Sequence, residues 1–93
     1  MLVMEVVYWA DDRGRVPVRE YLDALGRYAE VSAIASFRRG ISLLEEDGPA
    51  IGMPHARLID RQLRLYELRF GHHRAAYVEH QGIIVMLHAW RKR

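Results

Sequence analysis

The sequence predicts an α+β domain: an N-terminal strand, two helices, then an antiparallel meander of three to four strands. Three observations carry this reading. The chain opens on a β-branched and aromatic run, Leu-Val-Met-Glu-Val-Val-Tyr-Trp over residues 2–9. Two stretches of helical spacing follow, bracketed by proline and glycine. From residue 56 onward, runs of strand-forming residues are separated by two-residue glycine turns.

Length and composition bound the possibilities. A chain of 93 residues makes one domain, 1–93, and buries only about 60–65% of its unfolded surface, enough for one layer of helix on one sheet. Half the residues are apolar and 28% are charged, which is globular composition. The absence of cysteine removes disulfide frameworks and thiolate metal sites, and fits a reducing cytoplasm. No apolar run approaches the ~20 residues of a membrane span. Residues 1–8 lack a basic leader and a small-residue cleavage site, so they read as a strand rather than a signal peptide.

Each element has a local cause. In the first strand Leu2, Met4, Val6 and Tyr8 share one face. Asp11-Asp12-Arg13-Gly14 is a turn, and Pro17 sits where a helix accepts its first proline. Val18, Tyr21, Leu22 and Leu25 then repeat at helical spacing, with Gly26 as a stop or bend. A second helix is expected over 30–46, with Val31, Ile34, Ala35, Phe37, Ile41 and Leu44 apolar. Gly40 inside it costs about 1 kcal/mol relative to alanine, which marks close packing. Gly48-Pro49 ends it, and 48–55 is a loop. Strands are expected over 56–60, 63–70, 73–80 and 83–90.

The strands have two faces. In the last one Ile83, Val85, Leu87 and Ala89 make an apolar face, expected beneath the helices; Ile84, Met86, His88 and Trp90 make the other. Tyr66, Leu68 and Phe70 look inward, whereas Leu65, Glu67 and Arg69 look out. Glu67, Arg69 and His88 therefore share an open, cationic face that suits an anionic ligand. The charge supports this: the net charge is only +2, but the cations are thirteen arginines and one lysine, ending in Arg91, Lys92 and Arg93. Arginine forks onto phosphate where lysine acts as a point charge. Metal chemistry is not expected. His72 and His73 point to opposite sides of a strand, His55, His80 and His88 lack a partner at ligand spacing, and the histidines read as surface and turn residues. There is no phosphate-binding glycine loop, GxSxG or HExxH.

The order of short motifs is more informative than any one of them. Tyr8-Trp9, a charged glycine turn, and Pro17-Val18-Arg19-Glu20-Tyr21-Leu22 open the chain. Leu43-Leu44-Glu45-Glu46-Asp47-Gly48-Pro49 and Gly52-Met53-Pro54 follow the second helix. Then come Leu65-Tyr66-Glu67-Leu68-Arg69, Arg74, Tyr77, and a close of Val85-Met86-Leu87-His88-Ala89-Trp90-Arg91-Lys92. Over nearly its whole length the sequence resembles the phage-derived, HigB-like branch of the RelE/ParE toxin superfamily. The resemblance implies a RelE-like fold, an antiparallel sheet flanked by two helices, whose concave face takes RNA. It implies the toxin of a type II toxin–antitoxin system, a ribosome-dependent endoribonuclease that cuts mRNA in the ribosomal A site without metal or cofactor. It also implies a cognate antitoxin, often of helix-turn-helix type, and no membrane.

In such a reaction the 2′-hydroxyl attacks the adjacent phosphate, and preorganised cations stabilise the charge that develops. On the resemblance, Arg69, Arg74, His88 and Arg91 are the catalytic candidates. Arg74 meets the phosphate, Arg69 positions it, His88 transfers a proton near neutral pH, and Arg91 neutralises the leaving side. Arg57, Glu67, Tyr77, Lys92 and Arg93 are the RNA-binding candidates, Tyr77 by stacking a base. Arg69 and Arg74 lie five residues apart across a turn, so an antiparallel pair brings them together with their guanidinium groups in solvent. Relatives usually continue past the basic pair with a Thr-Gln-Lys-Thr-Pro-like stretch and a terminal helix, and no residue here is an obvious strong base. The alternative reading is therefore a RelE-fold protein that binds RNA or a partner without catalysis.

Overall fold

The structure, a computed structural model, describes residues 3–93. The elements run β1 (Glu5–Tyr8), α1 (Pro17–Arg27), α2 (Val31–Asp47), β2 (Ala56–Asp60), β3 (Leu65–Phe70), β4 (His73–His80) and β5 (Ile83–Arg91). Each expected element is present. Leu2 of the expected first strand lies outside the described residues.

Local chemistry accounts for the boundaries. Asp11 makes the first turn: its Oδ1 accepts from the Arg13 and Arg15 amides, both at 2.9 Å. Pro17 opens α1 at a position whose N–H has no intrahelical acceptor. Gly26 does not stop α1, which continues to Arg27 before the chain turns at Ala29 (φ 58°). The buried line of α2 is Ala33, Phe37, Gly40 and Leu44, while Val31 and Ala35 face outward. At the end of α2, Gly48 (φ 86°) takes a backbone conformation that disfavours other residues, and its N–H donates to the Leu44 carbonyl at 2.9 Å.

The sheet is mixed rather than antiparallel throughout. Its order is β1-β5-β4-β3-β2, and β1 is parallel to β5. The three hairpin reversals from β2 to β5 turn the last strand into the direction of β1, and the two helices carry the chain from one sheet edge to the other. Both helices cover the same face. Val18 and Leu25 of α1, and Phe37 and Leu44 of α2, pack with Leu68, Phe70, Tyr77, Ile84 and Met86. Phe37 meets Phe70 edge-on, with ring centroids 5.1 Å apart. Gly40 is where α2 comes down onto the sheet: a Cβ there would lie 2.9 Å from Leu68 Cδ1.

The phase of β5 differs from the alternation expected of it. Tyr77 pairs with Met86, but the next residue, Ala76, pairs with His88, so the ladder skips Leu87. This bulge changes which side chains face in. Ile84 and Met86 lie fully buried beneath the helices, and Val85 and Leu87 lie on the open face. Beyond the bulge Ala89 faces the core and His88 faces out, as expected.

Candidate nucleic-acid interface

Strand register brings distant arginines onto one surface. Across the open face, Arg69 pairs with Arg74, and Arg74 with Trp90. One pleat along, Arg57 pairs with Glu67, Glu67 with Ala76, and Ala76 with His88. Partners in a ladder point to the same side of the sheet. Five of the residues singled out from the sequence therefore share one face: Arg57, Glu67, Arg69, Arg74 and His88. Ala76 leaves the floor between Glu67 and His88 low.

Glu67 organises this surface. Its Oε2 lies 3.6 Å from Arg57 Nη2 and 3.8 Å from Arg74 Nε, so one carboxylate stands between two guanidinium groups. Arg69 has no carboxylate within 4 Å among the described residues. It is half-exposed, and its Nη1 lies 3.4 Å from the Met53 sulfur. The surface thus has three guanidinium groups against one carboxylate, which Arg57 and Arg74 share, and Arg69 is the one of the three with no carboxylate partner among the described residues.

Arg74 is not the solvent-facing group that strand-end position suggested. It is only 5% exposed. Its Nη1 donates to the carbonyls of Gly71 (3.0 Å) and His73 (2.8 Å), which closes the turn between β3 and β4. Burial, and then the charge of Arg69 beside it, holds its pKa below the usual arginine value, with Glu67 acting in the opposite sense. It remains a cation at neutral pH.

Other candidates fall elsewhere. Tyr77 is 0% exposed on the helix side, stacked on Tyr66 with centroids 5.2 Å apart, and its hydroxyl donates to the Pro49 carbonyl at 2.7 Å. Its ring is closed to a base, and burial pushes its hydroxyl well above the usual tyrosine range. Arg91 pairs with His73 and so lies on the helix side, with Nη1 3.8 Å from Glu30 Oε1, away from the other arginines. Lys92 and Arg93 are exposed beyond β5, where the Lys92 N–H donates to the His72 carbonyl at 2.7 Å.

One polar centre was missed in the sequence. His73 is 3% exposed, with Nδ1 2.6 Å from the Tyr21 hydroxyl and Nε2 3.3 Å from Glu30 Oε1. Tyr21 donates to Nδ1 when Nε2 carries the proton, which satisfies both ring nitrogens in a neutral histidine. The available signal was its place two and four residues before the inward-facing Ala75 and Tyr77. Among the described residues, no three histidine, aspartate or glutamate side chains converge as metal ligands would.

Two helices on one face of a five-stranded mixed sheet make a fold that this chain shares with solved structures of toxin-antitoxin complexes. The chain is similar over its full length to a chain of the "YoeB-YefM complex from Staphylococcus aureus", with a TM-score of 0.64, 13% identity and 99% of that chain covered. It is likewise similar to a chain of the heterotetrameric YoeB-YefM toxin-antitoxin complex from Staphylococcus aureus, with a TM-score of 0.62, 14% identity, and 100% and 97% of the two chains covered. Residues 20–93 match the family described as phage derived protein Gp49-like (DUF891), and this chain belongs to that family. No curated protein matches the sequence.

Proposed function

We propose that this protein is the toxin of a type II toxin–antitoxin pair and cleaves mRNA on the ribosome. The carrying observation is Arg69, a half-exposed cation without a carboxylate, on a face that also holds Arg57, Arg74 and His88. On this reading Arg69 meets the scissile phosphate. Arg74 lends its charge from beneath, and its hydrogen bonds to the Gly71 and His73 carbonyls fix the turn that sets Arg69. The 2′-oxygen forms a bond to phosphorus as it loses its proton, the bond to the 5′-oxygen breaks, and that oxygen takes up a proton. His88, exposed on the same face, is the group assigned to carry that proton. The products are a cyclic 2′,3′-phosphate and a 5′-hydroxyl. Both structurally similar chains come from YoeB-YefM complexes, one of them described as a toxin-antitoxin complex, which supports an inhibitory protein partner for this chain.

A second reading, binding without catalysis, draws on Glu67. The one carboxylate at the centre of this face is paired with two arginines and is poorly placed as a base. The test is cleavage of mRNA on programmed ribosomes by the purified protein, with product ends analysed. Cleavage that leaves cyclic phosphates and is lost in Arg69→Ala supports the toxin. RNA binding without cleavage supports the second reading, and neither binding nor cleavage refutes both.

A further inference from the structure

The side of the molecule away from the proposed chemistry carries a groove of its own. It runs between α1 and α2, on the helix side of the sheet, and holds about 710 Å³. Helical spacing builds its walls. Arg19, Asp23 and Arg27 recur at every fourth position of α1, and Ile34 and Arg38 stand one turn apart on α2. The floor is apolar: Leu22 and Ile34 flank the rings of Tyr8 and Phe37, which meet edge-on with centroids 6.3 Å apart. Small-ligand sites of this size combine an apolar lining with a few convergent polar groups.

The polar groups here are cations without partners. Arg19, Arg27 and Arg38 are all exposed, and none has a carboxylate within 4 Å among the described residues. Asp23 is the one carboxylate lining the groove. It sits one turn from both Arg19 and Arg27, the spacing at which ion pairs form on a helix, yet neither guanidinium reaches it. Arg19 turns inward instead, with its Cζ 5.6 Å from the centre of the Tyr8 ring. Burial raises the pKa of the Tyr8 hydroxyl, while the charges of Arg19 and Arg38 pull it down, so guanidinium groups from both helices bear on one hydroxyl. Three cations against one carboxylate leave two positive charges uncompensated around a space of ligand size.

That excess selects among anions. A phosphate monoester carries about −1.5 to −2 charge at pH 7 and three strong acceptor oxygens, which suits three arginine forks. A carboxylate brings one charge and two oxygens, and a phosphodiester brings one charge. The apolar floor calls for an organic part with an apolar face, which every nucleobase has. We propose that the groove between α1 and α2 binds a nucleoside monophosphate. Arg19, Arg27 and Arg38 hold its phosphate, and the nucleoside lies over Leu22, Ile34 and Tyr8. The inference goes beyond the nuclease reading and does not depend on it, because the groove and the Arg69 surface lie on opposite sides of the sheet.

Calorimetry on the full chain at low salt tests this with AMP, adenosine, inorganic phosphate and the dinucleoside monophosphate ApA, which has a phosphodiester but no terminal phosphate. AMP is expected to bind, and the other three to bind at least ~10-fold more weakly. Arg19→Gln/Arg38→Gln is expected to lose ~10–100-fold in AMP affinity, and Arg27→Gln tests the same rim should the double variant melt early. Arg39→Gln removes an equal charge from a neighbouring position of α2 outside the groove, and is expected to bind AMP as wild type does. A wild-type chain that does not bind AMP overturns the proposal, as does an equal loss in Arg39→Gln, which makes the effect one of net charge. ApA binding as tightly as AMP makes the groove a contact for RNA backbone, and inorganic phosphate binding as tightly leaves the apolar floor without a role; both overturn it. AMP affinity lost in Arg69→Gln but kept in the groove variants moves the phosphate to the open face and overturns it as well.

Discussion

Arg69 and Arg74 face each other across the β3–β4 ladder, and replacing each with alanine should have opposite consequences. Arg74 loses two charge-assisted hydrogen bonds, to the Gly71 and His73 carbonyls, and its approach to Glu67. Bonds of this type contribute about 1.5–3 kcal/mol each. Gly71 is exposed, so water recovers part of that loss, and removing the repulsion with Arg69 offsets a little more. A net destabilisation of about 2–4 kcal/mol remains, which at 4–8 °C per kcal/mol lowers the melting midpoint by roughly 8–32 °C. Lysine recovers only part, because it lacks the forked geometry. Arg69→Ala breaks no such bond, so its stability cost should stay within about 0.5 kcal/mol. On the proposed mechanism it should nonetheless lose about 100–1,000-fold in cleavage rate. Thermal denaturation of the purified variants, with single-turnover cleavage on programmed ribosomes, separates the two. An Arg74→Ala protein that melts with wild type refutes the structural role given to Arg74, and a fully active Arg69→Ala protein refutes the phosphate contact.

Three further outcomes are expected. Gly40→Ala should destabilise by about 1–2 kcal/mol, because the clash of its Cβ with buried Leu68 exceeds the helix-propensity gain; in a Leu68→Ala background, where that side chain is gone, the same change should stabilise, as paired urea titrations would show. Tyr77 has its pKa raised by burial, so the unfolded state releases its proton first, and stability present below pH 10 should fall as pH rises past it. Urea midpoints from pH 8 upward should therefore decline more steeply in wild type than in Tyr77→Phe, and parallel curves would discard this account. Cleavage should persist in EDTA once ribosome integrity is controlled with a cleavage-inert variant, since no cysteine is present and no metal-ligand cluster forms among the described residues; restoration by a divalent ion specific to this protein would refute it.

The type and order of the elements were legible because their causes are local. Pro17, Gly48 and the Gln81-Gly82 turn act within a few residues, and helical or two-residue periodicity needs only one segment. The shared face of Arg57, Glu67, Arg69 and His88 was partly legible for the same reason, since alternation within β3 orients Glu67 and Arg69 together. The inward turn of Ile84 and Met86 was not, because the bulge at Leu87 resets the phase of β5 and leaves no mark in composition.

What only the tertiary structure decided are the relations between segments far apart in the chain. Pairing of β1 with β5 makes the sheet mixed and lines up Val7, Val85, Val78 and Leu65 across four strands. Burial of His73 depends on partners 52 and 43 residues away, and a side chain's protonation partners cannot be read from its neighbours in sequence. Arg69 and Arg74 are chemically alike in sequence. Packing divides them, because the tight turn closes its carbonyls onto one guanidinium and leaves the other facing water. The sequence by itself determined a two-helix α+β domain with a cationic strand face; the fold decided which arginine on that face is free to meet a ligand.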